Sequence, residues 1–192
     1  MSSIFGHAVT SVALGKAFSS EKQSLNFYLL AVYCSVIPDG DVISFYFGIP
    51  YGHLMGHRGL SHSIVFAAVL GFAVAFFFFR HVPRYSAQWW RYAFFFFLVT
   101  ISHGLSDALS NGGLGVAFFA PLSNHRYFFS WRPIEVSPIG GLTHFFGREG
   151  WVVIKSELIW IWLPSITLVL LSYGVRRFMN HDTTKDHPES TS

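Results

Sequence analysis

The sequence predicts an all-α fold: a polytopic membrane helical bundle of four to five spans with a structured outer loop. Three observations carry that reading. Of 192 residues, 52% are hydrophobic, 19% aromatic and only 12% charged, about half the charged share of a soluble domain. Such a chain has too little polar surface to cover itself in water. The apolar residues fall in separate continuous runs, and before the last run lies a long stretch rich in Gly, Pro, Ser and aromatics. The length suits one membrane-embedded domain over residues 1–179, followed by a polar, disordered tail over 180–192.

Taken in order, Ile4 to Phe18 mixes small and apolar residues with His7, Thr10, Ser11 and Lys16. It reads either as a buried span or as a helix lying at the interface. It lacks the basic flank, apolar core and cleavage site of a signal peptide and is expected to stay in the mature protein. Leu25 to Ile37 is strongly apolar and meets Pro38, which is expected to stop it. Ser63 to Phe79, Tyr92 to Leu109 and Leu158 to Tyr173 read as spans near the lower length limit. Ser110 to Glu157 is expected to be an ordered re-entrant loop over the mouth of the bundle.

Net charge is +3, but the basic residues are scattered and form no stripe that would track a phosphate backbone, so nucleic acid is not an expected partner. Membrane lipids are. Cys34 is the single cysteine, which leaves no internal disulfide and no cysteine-rich metal knuckle. Lys16, Lys22, Arg80, Arg84, Arg91, Arg176 and Arg177 collect on one side if the spans alternate, and the positive-inside rule makes that side cytoplasmic.

The candidate ligands then fall on the other, non-cytoplasmic side. Asp39 and Asp41 follow an apolar helix directly, and two carboxylates at i and i+2 in a turn can both point at one cation; a helix-stop turn with solvated Asp residues is the plainer alternative. His57 and His62 flank a glycine-containing turn just before a span, and imidazole suits zinc, iron or manganese. Here the alternative is that Ser61 caps the helix while the histidines lie at the interface. His103 and Asp107 are four apart on one helix face near the end of an apolar span, where an ionisable pair is costly and marks function; otherwise they brace the bundle by a hydrogen bond. His7 is an additional metal candidate on the first helix. His53, His125 and His144 show no partner spacing. Arg58, Arg126 and Arg132 are candidates to bind an anionic group of a substrate, since guanidinium grips phosphate bidentately, or else to meet lipid headgroups.

These blocks, Pro38 to Asp41, His57 to Ser63, His103 to Asp107 with Asn111 to Gly115, Tyr127 to Ile134 and Ser137 to Ile139, occur in the order of a known family. The sequence resembles the YdjM-like, LexA-regulated inner-membrane metal-dependent hydrolases. Ser61 stands where threonine is common and Ser130 where proline often occurs; neither change removes a candidate ligand. The resemblance implies a multi-pass protein of the bacterial inner (cytoplasmic) membrane with hydrolase activity. The order Asp, His, His-x-x-x-Asp is also similar to the ligand pattern of secreted zinc phospholipases C.

The functional expectation is a metal-dependent hydrolase acting at the membrane boundary on a lipid or other phosphoester. A divalent ion would be held by His7, Asp39, Asp41, His57, His62, His103 and Asp107, with zinc first and manganese or iron as alternatives. Two further readings use the same residues: a cation- or proton-coupled transporter, and a non-catalytic protein whose loops a metal staples together.

Overall fold

The structure is a computed structural model that describes residues 2–19, 21–137 and 147–185. Helix α1 covers Ile4–Phe18, α2 Leu25–Val36, α3 Ile64–Phe78, α4 Ala87–Ala108, α5 Arg148–Glu157 and α6 Leu163–Lys185. A π turn over Leu158–Trp162 joins α5 to α6, so the three run on as one helix. The described residues therefore form five helical rods. Among the described residues there are no strands, only isolated bridges between Ser110 and Ile134 and between Val116 and Tyr127.

Serine side chains start four of these helices. Ser3, Ser24, Ser63 and Ser86 each accept a hydrogen bond from a backbone N–H three residues on, which satisfies a donor that the first turn leaves open. Ser63, and not Ser61, therefore caps α3. The helix expected from Tyr92 begins at Ala87, a turn and more earlier, because Ser86 caps it there. The second α-helix ends at Val36, just before Pro38 as expected, but Pro38 does not open a loop. It enters the first turn of a 3-10 helix over Ile37–Phe47, where its missing N–H costs nothing, and Gly48 ends that helix at φ 69°.

The loop expected over Ser110 to Glu157 is shorter than its sequence implied, since α5 takes up Arg148–Glu157. Its first half is ordered over the bundle end, as expected, held by the two bridges and by Arg126. Pro138 and Ile139 of the last sequence block, and His144, lie outside the described residues. The polar segment from Asn180 is helical as far as Lys185, so disorder does not begin at residue 180; residues 186–192 lie outside the description. The π turn has a local cause. Pro164 brings no N–H, and its ring would meet the carbonyl of Trp160 in a regular α-helix; winding wider, with Leu163 N–H donating to Leu158 O, relieves that clash.

Rods successive in the chain alternate in direction, so that the first and last run parallel side by side. Arg176 of α6 donates to the carbonyls of Lys16, Ala17 and Ser19 at the end of α1, Arg91 near the start of α4 lies over Phe18, and Arg84 lies over Phe76 near the end of α3. One end of the bundle is thus basic. The aromatic core sits in that half: Phe27, Phe79, Trp89, Phe95 and Phe96 are buried, with Phe27 stacked on Phe95 at 4.7 Å between centroids. Small residues let the helices close on one another. At Gly71, a Cβ would lie 2.6 Å from both Ala93 O and Phe97 N of α4. On α1, Gly6, His7, Ser11, Ala13 and Gly15 face inward, so this helix is a packed member of the bundle.

Leu25–Phe47 and Gly150–Met179 are long and apolar enough to cross a membrane. Ile4–Phe18 and Ile64–Phe78 are apolar but shorter.

Candidate metal centre

At the end opposite the basic residues, four buried side chains from three elements converge. Asp39 comes from the 3-10 helix, His62 from the turn before α3, and His103 and Asp107 from one face of α4. The i, i+4 spacing on α4 does what the sequence required of it.

The Asp39 and Asp41 pair does not. A 3-10 helix has three residues per turn, so side chains two apart diverge, and the two carboxylates bracket one imidazole instead of sharing a cation. Asp39 Oδ1 lies 3.7 Å from His62 Nε2, whereas Asp41 Oδ2 lies 3.1 Å from His62 Nδ1.

The turn that delivers His57 and His62 is wound tightly. A Cβ on Gly59 would collide with the carbonyl oxygen of Leu54 and stand 2.8 Å from that of Gly56, so only glycine fits. Arg58 takes φ 61°, a left-handed conformation that bulky residues seldom adopt and that concentrates at functional sites. It turns the guanidinium inward.

Four atoms face a common point. His62 Nε2 and His103 Nε2 are 3.0 Å apart; Asp39 Oδ1 is 3.2 Å from His103 Nε2; Asp107 Oδ2 is 3.6 Å from His62 Nε2 and 4.0 Å from His103 Nε2. Ligands bound at about 2.0–2.1 Å in a tetrahedron stand about 3.3 Å apart, and these separations scatter around that value.

The imidazoles are also set in the tautomer a metal needs. His103 Nδ1 is 2.7 Å from the carbonyl oxygen of Ser35, which only accepts, so Nδ1 carries the hydrogen and Nε2 is bare. His62 Nδ1 faces the Ser61 hydroxyl at 2.9 Å and Asp41 Oδ2 at 3.1 Å; since that hydroxyl donates to Asp41, both accept from Nδ1 and fix the ring, with a carboxylate behind the histidine as at many metal sites. Asp41 also accepts from Arg58 N at 3.0 Å and from the Ser61 hydroxyl, and its other oxygen meets His57 Nδ1 at 2.6 Å.

Two imidazole nitrogens and two carboxylates turned into one buried space call for positive charge, from a proton on His62 or from a cation in its place. Both oxygens of Asp39 are buried with no hydrogen-bond partner, although a buried carboxylate ordinarily collects donors, and Asp107 Oδ2 has the Arg58 guanidinium at 3.0 Å on its other side. Burial works against a charged His62, yet the carboxylates of Asp107, Asp39 and Asp41 around it outweigh burial and hold its pKa well above the usual imidazole value. These residues fit a divalent ion with nitrogen and oxygen ligands. Asp41, His57 and His62 form a second group close enough to share an ion, but there each Asp41 oxygen already has a donor.

The other expected residues are arranged differently. His7 stacks on His103 at 3.8 Å and meets the hydroxyls of Ser2 at 2.9 Å and Ser106 at 3.3 Å; it stands beside the four converging atoms without joining them. Arg58 reaches the centre, but as the partner of Asp107 at 3.0 Å, with its remaining donors on Gly112 O and Ser110 Oγ. Arg126 donates to the carbonyls of His57, Tyr51 and His53, so it clamps the loop. Arg132 is exposed and lies over the Phe128 ring, away from the centre. None of the three presents a free guanidinium fork there. His53 and His125 are exposed loop residues.

Sequence reasoning missed Ser35, Ser110, Ser2, Ser3 and Glu157. Ser35 and Ser2 act on the centre through backbone groups, which leave no residue-type signal. Glu157 could have been found as a carboxylate at the start of an otherwise apolar run.

A family model described as YdjM inner membrane protein matches residues 1–182. Among curated proteins, Inner membrane protein YbcI of Escherichia coli (strain K12) is 33% identical over 177 residues, covering 92% of this chain and 100% of that protein. No solved structure matches the chain.

Proposed function

The chain belongs to the YdjM inner membrane protein family, and within that family we propose that it is a multi-pass, metal-dependent hydrolase whose centre lies at the non-cytoplasmic membrane boundary. The observation that carries the metal is the pair of buried Asp39 oxygens that accept no hydrogen bond, converging with Asp107 Oδ2, which Arg58 flanks, on the Nε2 atoms of His62 and His103. These four residues hold the ion, zinc first, with manganese or iron as alternatives. Once bound, such an ion activates water and polarises an ester, the chemistry on which metal-dependent hydrolysis rests.

The chain's own groups do the rest. Asp41 and the Ser35 carbonyl keep both imidazoles turned inward. Arg58 balances part of the carboxylate charge and ties Asp107 to Ser110 and Gly112 of the outer loop. The exposed edge of the centre is on the side of Gly40, Asp41 and Ser61, where water and substrate would enter.

Several features support a membrane-boundary setting. Five alternating rods leave the basic residues together at one end, which the positive-inside rule makes cytoplasmic. At the opposite end Tyr46, Phe47 and Leu122 are exposed, as are Trp131, Trp151 and Trp160, apolar and indole groups of the kind that settle at the headgroup layer. A lipid phosphoester or another amphiphilic ester is the substrate class that reaches such a site. A transport path would string polar groups through the bundle; here they gather at one end, and aromatic side chains fill the other.

One observation favours a second reading. The four protein atoms suffice for a tetrahedral shell, and no ligand residue is more than 7% exposed, as in a metal that staples a fold. The first experiment is metal content of the detergent-solubilised protein, comparing wild type with His62→Ala and Asp107→Ala at equal folding. Stoichiometric metal lost in both variants is the expected result, followed by metal-dependent cleavage of phosphoester lipids. Metal without cleavage of any ester tried would favour the staple; a well-folded wild type that takes up no metal would sink both. Cysteine labelling of position 86 from the outside only would overturn the orientation.

A further inference from the structure

Glu157 is a carboxylate, 1% exposed, at the last turn of α5 and immediately before the π turn. Neither of its oxygens faces a basic side chain. Both accept from Ser3: Oε1 from the backbone N–H and Oε2 from the hydroxyl at 2.6 Å. The sequence makes room for this, since a Cβ on Gly6 would stand 3.1 Å from the Glu157 carboxyl and 3.0 Å from Ile161.

The residue before Ser3 touches the centre. The Ser2 N–H donates to Asp107 Oδ1 at 3.0 Å, while Asp107 Oδ2 is the oxygen turned toward His62 and His103. The Ser2 hydroxyl meets His7 Nε2 at 2.9 Å, and His7 stacks on His103. Ser2 is 0% and Ser3 4% exposed. A two-residue strap thus runs from Glu157 to one oxygen of Asp107 and to the ring behind His103.

We propose that Glu157 is a positioning residue of the metal centre, acting on Asp107 through the Ser2–Ser3 strap. A carboxylate can ligate through either oxygen and by several rotamers. With Oδ1 tied to the Ser2 peptide and Oδ2 beside Arg58 Nε, Asp107 is held with one oxygen toward the ion before the ion arrives. Anchoring of this kind raises affinity because the ligand need not reorganise on binding. The inference rests on the metal reading above.

The plain alternative is that Glu157 only sews α5 to the start of α1. The two roles separate in the rate at which metal leaves. Wild type, Glu157→Ala, Glu157→Gln, Ser2→Pro and Ser2→Ala would be loaded with zinc in detergent and mixed with excess chelator, with melting temperatures taken in the loaded and metal-free states. Glu157→Ala is expected to release zinc about tenfold faster or more, and the rise in melting temperature on loading is expected to shrink. Glu157→Gln keeps an acceptor for the Ser3 N–H and is expected to fall between. Ser2→Pro removes the N–H that reaches Asp107 and is expected to match Glu157→Ala, with little further loss when the two are combined; Ser2→Ala keeps that N–H and is expected to release slowly.

If Glu157→Ala melts lower in both states by the same amount and releases zinc at the wild-type rate, Glu157 is a structural clasp and the inference is overturned. Should Glu157→Ala not fold, wild-type release from both Glu157→Gln and Ser2→Pro overturns it equally. A wild type that binds no ion overturns the metal reading and this inference with it, whereas a wild type that binds alongside unchanged variants overturns this one alone.

Discussion

Replacing Asp41 with asparagine separates two roles that its sequence position left merged. As a ligand, Asp41 would be indispensable; as the carboxylate behind His62, it would be replaceable at a moderate cost. Its Oδ2 faces three donors, Arg58 N, Ser61 Oγ and His62 Nδ1, and its Oδ1 faces His57 Nδ1 alone. In Asp41→Asn the amide oxygen stays with the three donors and the NH2 turns to His57. His57 must then accept at Nδ1 and carry its hydrogen at Nε2, an atom that is buried and has no partner; an unsatisfied buried donor costs about 1–3 kcal/mol of stability. His62 keeps its tautomer but loses a charged acceptor for a neutral one, roughly halving that bond and making Nε2 a poorer ligand. Metal affinity is therefore expected to fall about tenfold, the low end for an outer partner of a ligand and equal to about 1.4 kcal/mol, with stoichiometry unchanged. Competition against a chromophoric chelator measures both. Asp39→Asn, which removes a ligand, is expected to lose stoichiometric metal. If Asp41→Asn loses metal as completely as Asp39→Asn, Asp41 is itself a ligand; if its affinity matches wild type, the orienting role is wrong.

Arg58→Ala leaves Asp107 buried without its guanidinium and is expected to lower stability by about 3–5 kcal/mol in thermal unfolding; Arg58→Lys should rescue little, because one ammonium cannot reach Asp107, Ser110 and Gly112 together. Metal binding should strengthen with pH: in the metal-free protein the raised pKa of His62 adds stability that is full below about pH 6.5 and fades as pH climbs through the folded-state value, while bound metal requires that proton to leave. The gap between loaded and metal-free melting temperatures is thus expected to widen from about pH 6.5 upward, and a gap that narrows would refute the assignment. Gly71→Ala drives a methyl into the backbone of α4 and should cost about 1–3 kcal/mol; an unchanged melting temperature would show that α3 and α4 can separate freely.

The helices were legible because apolar runs and serine caps are local signals. Their ends were less so, for physical reasons that differ by element. Pro38 reads as a stop, yet a proline also suits the first turn of a new helix, and only the 3-10 continuation reveals which. Arg148 to Glu157 is too polar to read as part of a span, but it is carried on the rod that follows. In the centre, His103 and Asp107 were legible from helical spacing alone. The separate jobs of Asp39 and Asp41 were not, because they depend on three residues per turn and not on the i, i+2 spacing itself. Arg58 reads as a surface fork for anions until its positive φ is seen to turn it inward. The Ser2 strap and the Ser35 carbonyl left no trace, since peptide groups look alike at every position.

The unequal lengths of the rods have a consequence for the lipid around them. Helices α1 and α3 have 15 residues each, a rise of about 22 Å against a hydrocarbon layer of about 30 Å. The Gly150–Met179 stretch has 30 residues, about 45 Å. In a five-span arrangement, lipids beside α3 must pinch together while those beside α6 are stretched or the rod tilts. The collar of lipid is then lopsided, lowest where Ser63 opens α3, one residue from His62. In the proposed membrane-boundary setting the bilayer surface would dip toward the centre at that flank and present its ester linkages there, so that the protein would bring the membrane's own groups down to the cluster instead of lifting a lipid out.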